Sequence, residues 1–541
     1  MKTYLFYRNK DFDWEWVRRA AAAREASREK WRYQDRSFDP RIGLPWNEQA
    51  LTEDLALDTL FNAMAQDDDY IFEASRKVIL TGVENDRDTI RYRQDILQDC
   101  LSLPSVVRDL YAIAVQALEK QKKHYLSGFL SRYPDSVLRE SIDLMEDLLE
   151  SLKSLSGIAD SHADKFKSEG WTNFFAMLKR DLDNEYLIAV EHHLDHLKQR
   201  NKSLLLSAQL GKANKGSGYM LHQPPSHRIT WQEWLKSLFV DKAPEYGFTL
   251  DPRDVAGSQA LGEIRDRGIC DVAAALGQSA ENVRSFFGML RAELAFYVGC
   301  INLREQLELK GKPFCLPLPV AAGKKRLSFC GLYDICLTLS INQRVVGNDV
   351  NADDRNLIII TGLNSGGKST FLRSIGLAQL MMQCGMFVPA EAFSSSLCDG
   401  LFTHYKREED TGMESGKFDE ELSRMSEIVE HVKRHSMILF NESFAATNER
   451  EGSEIARQVI TALLEKEVKV ICVTHLYELA NGFYERGNDN SLFLRANRED
   501  DGTKTFKLAE GKPLTTSFGE DLYECIFVPN SQDQNSINQT K

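Results

Sequence analysis

Three short stretches of this sequence carry side chains that could act on a phosphate. In "TGLNSGGKST", Gly362, Gly367, Lys368 and Ser369 satisfy the spacing G-x-x-x-x-G-K-[ST]. Glycine permits backbone turns that point successive N–H groups at a polyphosphate, and the N-terminus of a following helix adds partial positive charge. Leu363, Asn364, Ser365, Gly366 and Thr370 complete the cradle. Lys368 would reach the β and γ phosphates of ATP, and the Ser369 hydroxyl would bind magnesium. An apolar strand from Leu357 to Ile360 precedes the loop, and a helix with Phe371, Leu372, Ile375 and Leu380 at apolar positions follows it. That context favours phosphate binding over a mere tight turn.

The second stretch, "SMILFNESFAATN", reads as a buried strand ending at Asn441-Glu442. The residue ending such a strand in a phosphate-loop ATPase is normally an Asp that holds magnesium, often through water. An amide oxygen still accepts a hydrogen bond but carries no charge, so Asn441 predicts weakened metal binding with the geometry kept. Glu442 is placed to orient or deprotonate the attacking water. A third strand, "VKVICVTH", ends at His475, which would sense the γ-phosphate. The expected catalytic set is therefore Glu442, His475 and Lys368, with Ser369 and Asn441 as magnesium contacts.

Elements of several kinds must position these residues. A chain of 541 residues exceeds what one hydrophobic core organises, so two to four domains are expected. Its 43% hydrophobic and 27% charged residues are globular values. A net charge of −13 excludes a protein that coats nucleic acid by overall basicity, so any DNA contact must be local. Ten cysteines without a CxxC pair predict reduced, mostly buried thiols rather than a zinc module or disulfide framework. The N-terminus has no apolar core of signal-peptide length and no apolar run approaches a bilayer span, so a cytoplasmic protein without membrane contact is expected.

Residues 1–45 form an arm rich in Arg and aromatics, and residues 46–130 begin a helical region in which Leu57, Leu60, Phe61 and Met64 share a face. After Pro134, Leu138, Ile142, Met145, Leu149 and Leu152 alternate steps of four and three, the spacing of a seam between helices. A run with Phe175, Leu178, Leu182 and Tyr186 pairs with it, and "LGKANKGSGYML" marks a turn or hairpin, giving a protruding helical arm over 131–240. Helix resumes over 241–305, strands alternate with helices over 306–529, and 530–541 is a polar tail expected to be disordered.

Residues 196–232 contain no Asp or Glu but include Lys198, Arg200, Lys202, Lys212 and Lys215. These are candidate DNA-phosphate contacts near the arm tip, with a solvated loop as the equal alternative. His192 and His196 would share a helix face, for which a solvated surface is the favoured reading over a metal site.

These stretches resemble the ATPase domain of the MutS mismatch-repair family, a branch of the ABC ATPases. "TGLNSGGKST" is similar to that family's T-G-x-N-x-G-G-K-S-T, including Asn364 and Thr370. "VVGNDV" resembles the segment before its first strand, with Asn348 in place and Val345 where an aromatic adenine-stacking residue is common. "NESFAATNEREG" matches D-E-x-x-x-x-T-x-x-x-x-G at Glu442, Thr447 and Gly452 and departs at Asn441. "VTHLYEL" and "TTSFGEDL" resemble two later motifs, and "MESGKF" places Gly416 and Lys417 where the family's trans-acting loop has Ser-Thr, with Ser415 adjacent.

The resemblance implies a multidomain α and α/β fold: a long helical lever and clamp arm, then a C-terminal ABC-type P-loop NTPase domain. It implies ATP and Mg2+ as cofactors, a homodimer through the ATPase domain, and arms that close on duplex or branched DNA with low specificity. The family's mismatch-reading domain has no room before the helical region, so mispair recognition is not implied. Two functions follow: an ATP-gated DNA clamp with ATPase activity, or a low-turnover nucleotide-binding scaffold in which ATP controls dimerisation or partner binding. A transporter-type ABC subunit is disfavoured by the missing LSGGQ-like signature and the polar helices.

Overall fold

The protein was analysed as a computed structural model, which describes residues 1–28, 38–128, 134–200, 205–210, 216–222, 255–407, 416–487, 489–498 and 504–513. Two compact units emerge: the first comprises residues 1–3, 108–166 and 172–291, and the second 4–107, 167–171 and 292–541. The first unit thus takes in more chain than the 131–240 expected for the arm.

The second unit opens with α1 (Trp14–Arg28), α2 (Glu48–Asp54), α3 (Leu57–Ala65), α4 (Asp69–Leu80) and α5 (Arg87–Ser102). Side-chain caps begin three of these helices, the first being Asp13, which accepts from the Trp16 amide ahead of α1. Asp68 accepts from the amides of Tyr70 and Ile71 ahead of α4, and Asp86 accepts from Thr89 ahead of α5. Leu57, Leu60, Phe61 and Met64 of α3 are all buried. The N-terminal segment packs into this unit: the Leu5 amide donates to Glu293 at 2.9 Å, and the Tyr297 hydroxyl donates to the Leu5 carbonyl at 2.6 Å. The guanidinium of Arg93 lies 4.0 Å from the Phe6 ring centroid.

The first unit holds most of α6 (Pro104–Gly128), then α7 (Pro134–His162), most of α8 (Glu169–Asp181), α9 (Asn184–Arg200) and the hairpin strands β1 (Leu205–Leu210) and β2 (Gly216–His222). The seam residues Leu138, Ile142, Met145, Leu149 and Leu152 of α7 are buried, as are Leu187 and Leu194 of α9. Phe175 and Leu178 on α8 and Leu182 just after it are buried, whereas Tyr186 on α9 is exposed. β1 and β2 pair antiparallel, Leu205 opposite His222 and Leu210 opposite Gly216.

The long helix α10 (Val255–Leu309) ends in the second unit. Its stretch Ala274–Leu309 is on average long and apolar enough to cross a bilayer, although charged residues interrupt it and leave no uninterrupted apolar run of that length there. The window that qualifies is 89% buried inside the protein, so these apolar residues serve as core.

The α/β part contains β3 (Leu318–Val320), β4 (Leu327–Leu332), α11 (Ile335–Ser340), β5 (Asn348–Asn351), β6 (Leu357–Gly362), α12 (Lys368–Gln383), β7 (Ala392–Ser396), β8 (Leu401–Tyr405), α13 (Lys417–His431), β9 (Met437–Asn441), α14 (Glu449–Glu465), β10 (Lys469–Val473), α15 (Tyr477–Glu485), β11 (Ser491–Arg498) and β12 (Lys504–Glu510). One sheet has the order β12-β11-β6-β10-β9-β8, parallel from β11 to β8 with β12 antiparallel at its edge. A second sheet has the order β3-β7-β4-β5. Every residue of β6 and β10 is buried, as strands covered on both faces require. Met425 and Ile428 of α13, Ile460 and Leu463 of α14 and Phe483 of α15 join the strands in one apolar core. Strand order reverses around β6, where α/β sheets open a crevice beyond their C-terminal strand ends.

Candidate functional site

The glycine loop leaves β6 at that crevice. Gly362 has φ +106°, and a Cβ there would lie 3.1 Å from the Ala496 amide nitrogen on β11. At Gly366 a Cβ would lie 2.9 Å from both the Ala496 Cβ and the Leu363 carbonyl oxygen. Gly367, at φ +87°, precedes the first turn of α12. Positive φ therefore explains Gly362 and Gly367, and close approach of β11 and the loop's own carbonyl explains Gly366.

Lys368 is buried and its Nζ donates to the carbonyls of Gly362 at 2.9 Å and Leu363 at 2.8 Å. Burial lowers its pKa while the Glu442 charge opposes that. Ser369 Oγ donates to Asn441 Oδ1 at 2.8 Å, which joins the end of β9 to the first turn of α12. A hydroxyl and an amide oxygen side by side are neutral hard donors of the kind magnesium accepts, with phosphate oxygens and water left to complete six ligands. Among the described residues no cluster of three or more His, Cys, Asp or Glu could hold a metal by itself.

Glu442 follows Asn441, and its Oε1 lies 2.8 Å from Nε2 of His475, which follows β10 and Thr474. This hydrogen bond, opposed by burial, holds the carboxyl below its ordinary range, so Glu442 is ionised at neutral pH. Lys368, Glu442 and His475, together with residues Asn364 to Thr370, line a pocket of about 630 Å³. Its other wall includes Leu337, Ile341, Arg344, Val345, Asn348 and Phe506.

Phe506 escaped the sequence reading. It stands in β12 at φ +55° and is 45% exposed. Its ring comes within 3.4 Å of where a Gly367 Cβ would sit. Asn348 holds it there: its Nδ2 donates to the Phe506 carbonyl at 3.3 Å and its Oδ1 accepts from the Leu508 amide at 2.8 Å. The sequence signal was slight, one aromatic in the alternation "KTFKLAE", with nothing to fix its register beside the loop. An aromatic ring thus lines the pocket, although Val345 fills the position where one was expected.

The DNA-contact candidates are distributed differently. Lys198 on α9 pairs with Glu146 of α7. Arg200 is the last residue of α9, and Lys202, Lys212 and Lys215 lie outside the described residues. Glu146, Glu150, Lys153, Glu191 and Asp195 line a groove between α7 and α9, where Glu146, Glu150 and Glu191 pair with Lys198, Lys120 and Lys153. His192 and His196 do share a face, their Nε2 atoms 3.2 Å apart. Gly416 caps α13 and Lys417 begins it; Ser415, "TTSFGEDL" and residues 530–541 lie outside the described residues.

Comparison with known proteins agrees with this architecture. Residues 85–310 match the MutS2 N-terminal domain, and residues 358–540 match MutS domain V. The chain is 25% identical over 464 residues to a DNA mismatch repair protein MutS of Prochlorococcus marinus, covering 79% of this chain and 49% of that protein. It is 32% identical over 208 residues to the human MutS protein homolog 4, covering 37% of this chain and 22% of the relative. Against an Endonuclease MutS2 of Listeria innocua it is 31% identical over 173 residues, 32% of this chain and 22% of the relative. The chain thus spans between about a fifth and a half of these relatives' lengths. With both matched regions in their expected places and the phosphate loop, Glu442 and His475 convergent, the chain is a member of the MutS family.

Proposed function

We propose that this protein is a cytoplasmic, ATP-dependent DNA-binding protein in which ATP binding and hydrolysis, at a homodimeric site, gate the grip of the helical arm on duplex or branched DNA. The observation that carries the reading is the Glu442–His475 pair at 2.8 Å, in a pocket that the glycine loop also lines. In hydrolysis Glu442 accepts a proton from the attacking water, whose oxygen forms a bond to the γ-phosphorus as the bond to the β-bridging oxygen breaks. Lys368 gives up the Gly362 and Leu363 carbonyls for phosphate oxygens, and His475 holds the γ-phosphate end while keeping the carboxylate oriented. Ser369 and Asn441 would hold magnesium, which supplies charge neutralisation on the phosphates. The names of the relatives, DNA mismatch repair protein and endonuclease, support nucleic acid as the partner. If ATP and DNA favour the same global state, each must change the other's affinity by the same factor.

The test is magnesium-dependent ATP hydrolysis with and without duplex and branched DNA. Glu442→Gln should lower turnover by about a hundredfold or more while ATP still binds. Turnover indifferent to Glu442→Gln would remove Glu442 from the mechanism. ATP binding without turnover, indifferent to DNA, would favour the scaffold reading, which the uncharged Asn441 supports.

A further inference from the structure

The turn bearing Glu442 adopts a costly backbone. Glu442 has φ +55° and Phe444 φ +61°, both left-handed and neither glycine. Such residues cost of order 1–3 kcal/mol each and persist only where surroundings over-determine them. Three neighbours do so here. A Cβ on Gly452 would lie 2.3 Å from the Phe444 carbonyl oxygen, so only glycine lets α14 approach the turn that closely. Glu421 on α13 is the second, its backbone carbonyl 3.0 Å from His404 Nε2, while burial raises the pKa of its carboxyl against the charges of Arg424 and Lys406.

The third neighbour is His404 on β8, fully buried, whose register partner on β9 is Phe440. Its Nδ1 lies 2.8 Å from Ser443 Oγ and its Nε2 3.0 Å from the Glu421 carbonyl oxygen. The same Ser443 hydroxyl approaches the His404 carbonyl at 2.5 Å. Phe444 stacks on the imidazole, ring centroids 5.4 Å apart and planes 19° apart. A carbonyl oxygen only accepts, so in the neutral ring Nε2 carries the hydrogen, and the single Ser443 hydroxyl hydrogen is shared between the Nδ1 lone pair and the His404 carbonyl.

We propose that His404 and Ser443 are positioning residues for Glu442. The imidazole, anchored on α13 through the Glu421 carbonyl, grips the residue after the base by its hydroxyl and the next by its ring. Together these fix the left-handed backbone that aims the Glu442 carboxylate toward His475 and the pocket. The inference rests on Glu442 acting as the base, as proposed above. Nothing in the sequence around "LFTHYK" signals it, because β8 pairing sets His404 opposite Phe440 and only the turn after β9 returns Ser443 to it.

The test measures ATP turnover in the full chain, binding of a non-hydrolysable ATP analogue and thermal stability, with Glu442→Gln in parallel. Ser443→Ala should lower kcat about tenfold with KM and analogue affinity within about twofold of wild type, since only orientation of the base is lost. His404→Leu should do the same. His404→Asn, whose amide oxygen can stand where Nδ1 stands, should recover turnover to within about threefold of wild type. A merely structural role would instead lower thermal stability and scale kcat with the folded fraction. The proposal is overturned if Glu442→Gln abolishes turnover while Ser443→Ala and His404→Leu keep the wild-type kcat. Turnover that survives Glu442→Gln would remove the assignment of the base itself, and this inference with it.

Discussion

The α/β body and the helical arm commit their charged and polar groups in opposite ways. At the strand ends the site residues engage one another or their own loop: Lys368 with two carbonyls, Ser369 with Asn441, Glu442 with His475. Under the proposed mechanism the Lys368 and Ser369 contacts would pass to the nucleotide and its metal, donor and acceptor being already oriented, while the Glu442–His475 pair would persist. In the first unit Lys120, Lys153 and Lys198 are bound to Glu150, Glu191 and Glu146. A DNA phosphate would have to compete with a carboxylate for each. Lysines counted in a sequence are thus a poor guide to free positive charge, whereas motif residues at strand ends are a good guide to a site.

The largest effect expected from this contrast is an acid sensitivity confined to the body. Burial lowers His404 from 6.5 to about 4. Below pH 6.5 the unfolded chain takes up a proton that the native ring refuses, so stability falls as pH drops from 6.5 toward 4. Between pH 7 and pH 5 this group alone should remove about 2 kcal/mol. Urea titrations at the two pH values should show a loss of that size in the wild type that is absent in His404→Asn. An equal loss in the variant would assign the acid sensitivity to other groups.

A smaller effect is expected at the metal contact. Asn441→Asp restores a charged oxygen beside Ser369 Oγ, which now donates to the neutral amide at 2.8 Å. Magnesium half-saturation of ATP turnover should fall about tenfold, near 1.4 kcal/mol. A magnesium titration of both proteins checks it, and an unchanged midpoint would show that phosphate and water, not residue 441, set the affinity.

How much was legible in the sequence follows the same division. The phosphate loop, Glu442 and His475 were readable because a strand followed by a fixed spacing dictates where the backbone delivers each side chain. The faces of α3 and α7 were readable from periodicity, and the β1–β2 hairpin from its glycines and lysines. Phe506 and His404 were not: Phe506 is brought beside the loop by the pairing of β11 with β6 and by the hydrogen bonds of the distant Asn348, and His404 meets Ser443 only once β8 has paired with β9. The Lys198–Glu146 pair was hidden for the same reason: 52 residues separate the partners. The apolar Ala274–Leu309 stretch was passed over because its charged residues interrupt any single run, while its average composition remains high enough to fill a core.

The smallest effect would most sharpen the comparison. Lys198→Ala removes a charge already engaged by Glu146, on a wall that also carries Glu150, Glu191 and Asp195. An exposed pair of this kind is worth roughly 0.2–1 kcal/mol, and its lysine adds little to the field a phosphate meets. Duplex DNA affinity, read by fluorescence anisotropy between 50 and 200 mM salt, should therefore change less than about twofold, with the slope of log affinity against log salt altered by well under one. Glu146→Ala should act in the opposite sense, freeing the ammonium and tightening binding by about two- to fivefold at the lower salt. If Lys198→Ala instead weakened binding about tenfold and flattened the slope by nearly one, the ion pair would have to open on DNA. The arm would then resemble the nucleotide site after all, with internal partners exchanged for phosphate.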